Sequence, residues 1–105
     1  MERRMHRRKL VLLNGARMAS REEAGAYLVR KLGLPADHAK NLDALYDALT
    51  ERAKPTRLML INRNKLLIAQ PDYGKRLIAM LADAASGNAC LTFEARGGVF
   101  RTDER

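Results

Sequence analysis

Short hydrophobic runs recur along the chain and alternate with longer stretches of helical periodicity. A compact apolar run bounded by turn residues is typical of a strand inside a sheet. Three segments have this form, namely residues 9–13, 57–61 and 89–95. The pattern predicts three strands, and the continuous apolar character of the first two predicts that both are buried. Asn14-Gly15 supplies a turn directly after the first of them.

The stretches between these runs carry helix signals. Ser20 followed by Glu23 is a capping-box pattern, and the apolar stripe that begins there ends at Gly33. Further helices are predicted at residues 42–49, 62–69 and 71–86. Strands that are separated by helices need crossover connections, which favour parallel pairing. The sequence therefore predicts an α/β fold, a small three-stranded parallel sheet packed with helices.

Composition narrows the class of protein. A chain of 105 residues with a hydrophobic fraction of 47% is sufficient for one small domain with one core. No apolar run approaches the roughly 18 residues that span a membrane, and the run at 10–13 is too short for a signal-peptide core. We therefore expect a cytoplasmic protein without membrane contact. The single cysteine, Cys90, lies in an apolar run, which predicts a buried, reduced thiol.

Positive charge is concentrated at the start of the chain. Residues 1–9 hold five Arg or Lys and one acid, which is half of the net charge of +8. We read residues 1–8 as a basic flexible arm that either makes weak nucleic-acid contacts or simply adds solubility. Residues 9–95 form the predicted domain. Residues 96–105 are expected to be a flexible tail or to add a short strand around 99–100.

An acidic island interrupts this basic background. Residues 37–51 hold four acids against one lysine, and Asp43, Asp47 and Glu51 follow one another at i, i+4 and i+8 of the predicted helix. Like charges at that spacing repel by about 0.2–0.5 kcal/mol per pair, so folding alone gives little reason to align them. Two interpretations remain open: a solvated face of an ordinary amphipathic helix, or a surface for a cationic partner with Tyr46 as its aromatic anchor.

Sequence signatures of enzymes are absent. The chain has no Gly-rich phosphate loop and no metal-ligand spacing of His or Cys, so we expect neither catalysis nor a cofactor nor a bound metal. A general acid/base or metal role for Asp43 and Asp47 is a poor second interpretation, because no further ligands stand nearby in the sequence. His38 is either a plain surface residue or a modulator of the acidic face.

The segment around the acidic island resembles a known family. Leu34-Pro35 is followed by a short loop, then by Asn-Leu-Asp-Ala-Leu, an aromatic residue, Asp, a small residue, Leu and Thr over residues 41–50. This closely resembles the signature segment of the barstar family, intracellular inhibitors of a secreted bacterial ribonuclease. The order of predicted strands and helices is also similar to that family over roughly residues 9–95, and the family's three-stranded parallel sheet agrees with the fold predicted from the pattern.

The resemblance implies an inhibitor that occupies the ribonuclease active site with carboxylates in place of RNA phosphates. Asp47 matches the family's most important carboxylate, and Asp43 matches a second acid that meets an arginine of the enzyme. Tyr46 stands where the family usually has Trp. Asn41 matches the family's asparagine at the helix start, where it either caps the helix or contacts the partner.

The chain departs from the family's pattern at two places. The family's loop usually presents tyrosine and then glycine, whereas this chain has Asp37, His38 and Ala39. A further acid on the family's last helix aligns with Ala82, although Asp83 is adjacent. The expected partner-binding residues are Asp37, His38, Asn41, Asp43, Tyr46, Asp47 and Thr50.

Two functions follow as hypotheses. The first is a monomeric, cytoplasmic inhibitor of a basic, barnase-type ribonuclease, which rests on the acidic helix and the resemblance. The second is a barstar-like fold reused as a basic RNA-binding or regulatory module, which rests on the net charge and the arginine-rich arm. They predict opposite responses, because loss of the arm affects only RNA binding and loss of Asp47 affects only nuclease binding.

Overall fold

A computed structural model describes residues 8–97, which form a three-stranded parallel sheet and four α-helices. The elements follow in the order β1 (Lys9–Asn14), α1 (Arg21–Leu32), α2 (Leu42–Thr50), β2 (Thr56–Ile61), α3 (Arg63–Ala69), α4 (Pro71–Ser86) and β3 (Leu91–Ala95). Two 3-10 turns, Gly15–Arg17 and Ala36–Ala39, precede α1 and α2. The predicted α/β fold is confirmed. The predicted arm, except Arg8, and residues 98–105 of the predicted tail lie outside the described residues.

The sheet has β2 at its centre, paired in parallel with β1 and with β3. In its register Val11 stands beside Leu58 and Leu58 beside Phe93, so these side chains share one face. Leu58, Met59 and Leu60 are buried in succession, which confirms the prediction of a buried strand for this segment.

Strand β1 corrects one prediction. Its side chains alternate between buried and exposed positions, and Leu10 and Leu12 are 47% and 42% exposed although the strand was predicted to be buried. Val11 and Leu13 point to the opposite face, where they join the core. An edge strand with one covered face explains the alternation, because successive side chains of a strand point to opposite sides.

The predicted limits of α1 are confirmed by its cap geometry. The Ser20 hydroxyl accepts a hydrogen bond from the Glu23 amide at 3.1 Å, which satisfies one of the free N–H groups of the first turn. At the other end Gly33 has φ = 69° and donates its amide to the carbonyls of the last turn. Glycine takes this left-handed conformation without the steric cost that a side chain brings.

Cys90 lies in the turn before β3 and is half-buried, so the prediction of a buried thiol inside the strand is wrong. The strand begins one residue later, at Leu91. The reason lies in the loop, where the Asn88 side chain accepts from the Cys90 amide at 2.9 Å and holds the chain in a turn. The Cys90 carbonyl accepts from the Thr56 amide at 2.8 Å and so starts the pairing of β3 with β2.

Among the helices of residues 8–97, none combines the length and apolar character that crossing a membrane requires.

Candidate protein-binding surface

The acidic helix α2 begins at a side-chain cap. Asn41 has an extended backbone, and its Oδ1 accepts from the Ala44 amide at 2.8 Å. This bond satisfies one of the four free N–H groups of the first turn and fixes where the helix starts. Of the two roles left open for Asn41, the structure shows the capping role.

The other end of α2 is tied to the loop that follows α4. The Asn88 amide nitrogen donates to the carbonyl oxygens of Leu49 and Arg52, each at 2.9 Å. The Leu49 carbonyl lies in the last turn of α2 and the Arg52 carbonyl two residues beyond it, at the end of the helix where carbonyls lack the amides of a following helical turn. Asn88 therefore plays the role of a C-terminal cap supplied from another element, and α2 is fixed at both ends.

The two faces of α2 separate as the sequence predicts. Leu45 and Leu49 are 1% and 0% exposed and belong to the core, whereas Asp43 and Asp47 are exposed. Within residues 8–97 neither carboxylate forms an ion pair or a side-chain hydrogen bond. Their charge is therefore uncompensated by direct contact and open to a partner.

Tyr46 and Thr50 differ in what they offer to a partner. Tyr46 is 37% exposed on the side of α2 between the core and the acids, which leaves part of its ring accessible. Thr50 is half-buried, and its hydroxyl donates to the Asp47 carbonyl at 3.0 Å within the helix. The Thr50 hydroxyl is thus already satisfied, and this residue contributes mainly to the end of the helix.

The loop before α2 lies directly against α1. A Cβ at Gly25 would stand 2.6 Å from the Ala39 carbonyl oxygen, so only glycine allows this approach. Asp37 is exposed, and its carboxylate lies 3.8 Å from Nδ1 of the less exposed His38. His38 Nδ1 is buried and has no hydrogen-bond partner in the part of the chain that the structure describes. The loop thereby places Asp37 and His38 next to the first turn of the acidic helix.

Basic residues surround Asp43, which the sequence did not predict. An open cavity of about 340 Å³ beside the start of α2 is lined by Asp43, Arg21, Lys40, Tyr73 and Arg76. The Arg21 guanidinium lies 5.5 Å from the centre of the Tyr73 ring. Burial raises the pKa of the Tyr73 phenol, and the two arginines oppose this shift in part. No local motif links these residues, because they come from α1, the loop and α4.

Helix α4 runs alongside α2. Its first turns meet the start of α2 at this cavity, and the loop after its last turn holds the end of α2 through Asn88. Tyr73, Arg76 and Asp83 lie at i, i+3 and i+10 and so share one stripe of α4. Ala82 lies about 100° away from Asp83 around the helix. Helical geometry therefore places Asp83, and not Ala82, on the side of α4 that faces the cavity.

The expected partner-binding residues thus fall on one continuous stretch from the 3-10 turn through α2. No curated protein matches the chain. The family model described as Barstar (barnase inhibitor) matches residues 8–102, which include every described element. The match and the three-stranded parallel sheet with four helices agree with each other, and the chain belongs to the barstar family.

Proposed function

We propose that the protein inhibits a basic, barnase-type ribonuclease by covering its active site with the exposed face of α2. The observation that carries the proposal is the pair of unpaired, exposed carboxylates of Asp43 and Asp47 on a helix fixed at both ends, in a chain of the barstar family. Their helix keeps its position without a partner. Binding consequently loses little side-chain and loop freedom, which favours affinity.

The chemistry of the partner explains why carboxylates are suited to this task. A ribonuclease binds a polyanion, so its cleft is lined with cationic side chains, and an acidic surface of matching shape complements it. Asp47 is the proposed substitute for an RNA phosphate, and Asp43 meets a second cation. Tyr46 supplies an aromatic contact beside them. Asp83, on the stripe of α4 that faces the cavity, is proposed to add a further carboxylate.

The net charge of +8 opposes approach to a basic enzyme, but local charge decides the contact. Residues 37–51 carry a net charge of −3. At physiological salt the Debye length is about 8 Å, so charges beyond this distance are largely screened. Three cations, Arg21, Lys40 and Arg76, line the cavity beside Asp43. Asp47 does not line that cavity, and we expect it to contribute more binding energy than Asp43.

The same proposal places a monomeric inhibitor in the cytoplasm, where it protects the cell that makes the ribonuclease. A monomer leaves the acidic face free for the enzyme.

The test is a titration of the purified protein into a barnase-type ribonuclease at physiological salt, with the rate of RNA cleavage as the readout. The wild type is expected to abolish activity at one inhibitor per enzyme. Asp47→Ala is expected to weaken inhibition by at least about a hundredfold, or roughly 3 kcal/mol, because it leaves a buried cation of the partner unpaired.

Glu23→Ala is the matched control, since it removes one negative charge from the far side of the molecule. Glu23 lines a separate cavity with Ala26 and Arg30, on the side of α1 away from Gly25. Its inhibition should equal that of the wild type. Equal inhibition by the Asp47 and Glu23 variants would show that α2 is not the binding surface. No inhibition by the wild type would show that a barnase-type ribonuclease is not the target.

A further inference from the structure

A second charged surface lies at the C-terminal end of α2, away from the cavity beside Asp43. There the N-terminal ends of β1 and β2 meet the end of α1. Of the residues that the structure describes, five cationic ones and no acid line an open cavity of about 480 Å³ there. We call this the basic cleft, and its cations are Lys9, Arg30, Lys31, Arg52 and Lys54. The remaining lining residues are Leu32, Gly33 and Thr56.

Arg52 is the fixed element of the basic cleft. Its Nη1 donates to the Leu32 carbonyl at 3.0 Å, and its Nε donates to the Thr56 hydroxyl at 2.8 Å. The Thr56 hydroxyl is itself held, because it donates to the Lys54 carbonyl at 2.9 Å. This chain of bonds orients the guanidinium before any ligand arrives. Nε and Nη1 are engaged by the chain, so Arg52 offers a phosphate an oriented positive charge and its remaining N–H groups.

The other four cations have no acidic partner among the described residues. Lys9, Arg30, Lys31 and Lys54 are exposed, and none of them forms an ion pair within residues 8–97. Like charges gathered around one cavity repel each other, and this cost is removed when an anion binds between them. The basic cleft therefore favours an extended anion that reaches several cations together.

We propose that the basic cleft binds the phosphate backbone of single-stranded RNA. Five cations spread around an open cleft exceed what one phosphate can contact, whereas a strand presents a phosphate at every nucleotide. No aromatic side chain of residues 8–97 lines the cleft, so stacking on bases is not expected there and binding should depend little on sequence. In the described part of the chain, Leu32 is the only aliphatic side chain that lines the cleft, and it is buried, so these residues supply no exposed apolar anchor of the kind that a membrane-binding surface has.

This site is separate from the proposed ribonuclease-binding surface. The acidic face belongs to α2 and the loop before it, while the basic cleft is built from the segment after α2, the end of α1 and the starts of two strands. The inference stands whether or not the protein inhibits a ribonuclease.

The test measures binding of a fluorescein-labelled oligouridylate to the full chain by fluorescence anisotropy across a range of salt concentrations. The variant Lys31→Ala/Lys54→Ala removes two exposed cations of the cleft and leaves Arg52 intact. We expect its affinity at physiological salt to fall at least about fivefold, and the slope of log affinity against log salt to fall by about 1.4, because each phosphate contact on a single strand contributes about 0.7.

Two matched controls remove the same charge elsewhere. Lys65→Ala/Lys75→Ala alters exposed lysines of α3 and α4, away from the cleft, and Arg3→Ala/Arg4→Ala alters the arginine-rich N-terminal sequence. Both should change affinity by less than about twofold, since they leave the cleft contacts in place.

An equal loss of RNA affinity in the cleft variant and in either control would overturn the proposal. The absence of RNA binding by the wild type at low salt would also overturn it. Cleft-dependent binding to phosphatidylserine vesicles in place of RNA would overturn it as well. Ribonuclease inhibition by the cleft variant is expected to match that of the wild type. A failure of the RNA-binding proposal can therefore be told apart from a failure of the inhibitor proposal.

Discussion

Asn88→Ala should destabilise the fold by removing the side chain that joins the end of α2 to the start of β3. Its amide nitrogen donates to two carbonyls, those of Leu49 and Arg52, and its oxygen accepts from the Cys90 amide, all at 2.9 Å. Alanine leaves all three backbone groups without these partners. The acidic helix then loses the contact that fixes its C-terminal end.

The magnitude follows from the number of bonds and their burial. A hydrogen bond contributes a net of about 0.5–1.5 kcal/mol, and a buried group left unpaired costs about 1–3 kcal/mol. Asn88 is half-buried, so water replaces part of what is lost. We expect a decrease of about 2 kcal/mol in the free energy of unfolding. For a domain of this size that corresponds to a Tm lower by roughly 8–16 °C.

Urea denaturation followed by circular dichroism measures this change. Asn64→Ala is the matched control, because Asn64 is exposed on α3 and its side chain makes no hydrogen bond with residues 8–97. Its unfolding free energy should stay within about 0.5 kcal/mol of the wild type. A similarly small change for Asn88→Ala would refute the role assigned to this side chain.

Three further changes test the packing and charge around the acidic face. Gly25→Ala should lower the free energy of unfolding, measured by urea denaturation, by about 1–3 kcal/mol, because the added Cβ would lie 2.6 Å from the Ala39 carbonyl oxygen. Unchanged stability would show that the loop before α2 can shift without cost. Arg76→Glu should raise the association rate with a basic ribonuclease several-fold in stopped-flow mixing, more at low salt than at high, since it replaces a repelling charge beside Asp43; a slower association would contradict this. Tyr73→Phe should remove a loss of stability that the wild type shows at high pH. Burial raises the pKa of the Tyr73 phenol above its usual 10.0. The contribution of this phenol to stability is therefore complete below pH 10.0 and is lost as the pH rises through the higher pKa of the folded state. Identical stability profiles of the two proteins above pH 10.0 would contradict that sign.

Features set by neighbouring residues could be predicted from the sequence. Ser20 and Asn41 cap their helices because each side chain bonds an amide three residues ahead, and Gly33 ends α1 because the required φ is positive. The core face of α2 followed from the spacing of Leu45 and Leu49. Each of these depends on local geometry, which the sequence contains directly.

Features set by tertiary packing could not be predicted in the same way. A run of apolar residues does not reveal that Leu10 and Leu12 lie on the exposed face of an edge strand, because that depends on which face the helices cover. Likewise, Asn88 caps α2 from a distance of 36 to 39 residues along the chain. The basic cleft joins the start of β1, the end of α1 and the segment after α2, so no single stretch of sequence showed it.

Asp47 and its neighbours are proposed to occupy the phosphate-binding site of a ribonuclease. The most direct measurement is the apparent Kd between the protein and a barnase-type ribonuclease at increasing concentrations of guanosine 3′-phosphate. If the carboxylates take the place of an RNA phosphate, the apparent Kd rises in proportion to the nucleotide concentration once the site is saturated. An apparent Kd that stays constant while the nucleotide fills the active site would contradict the account.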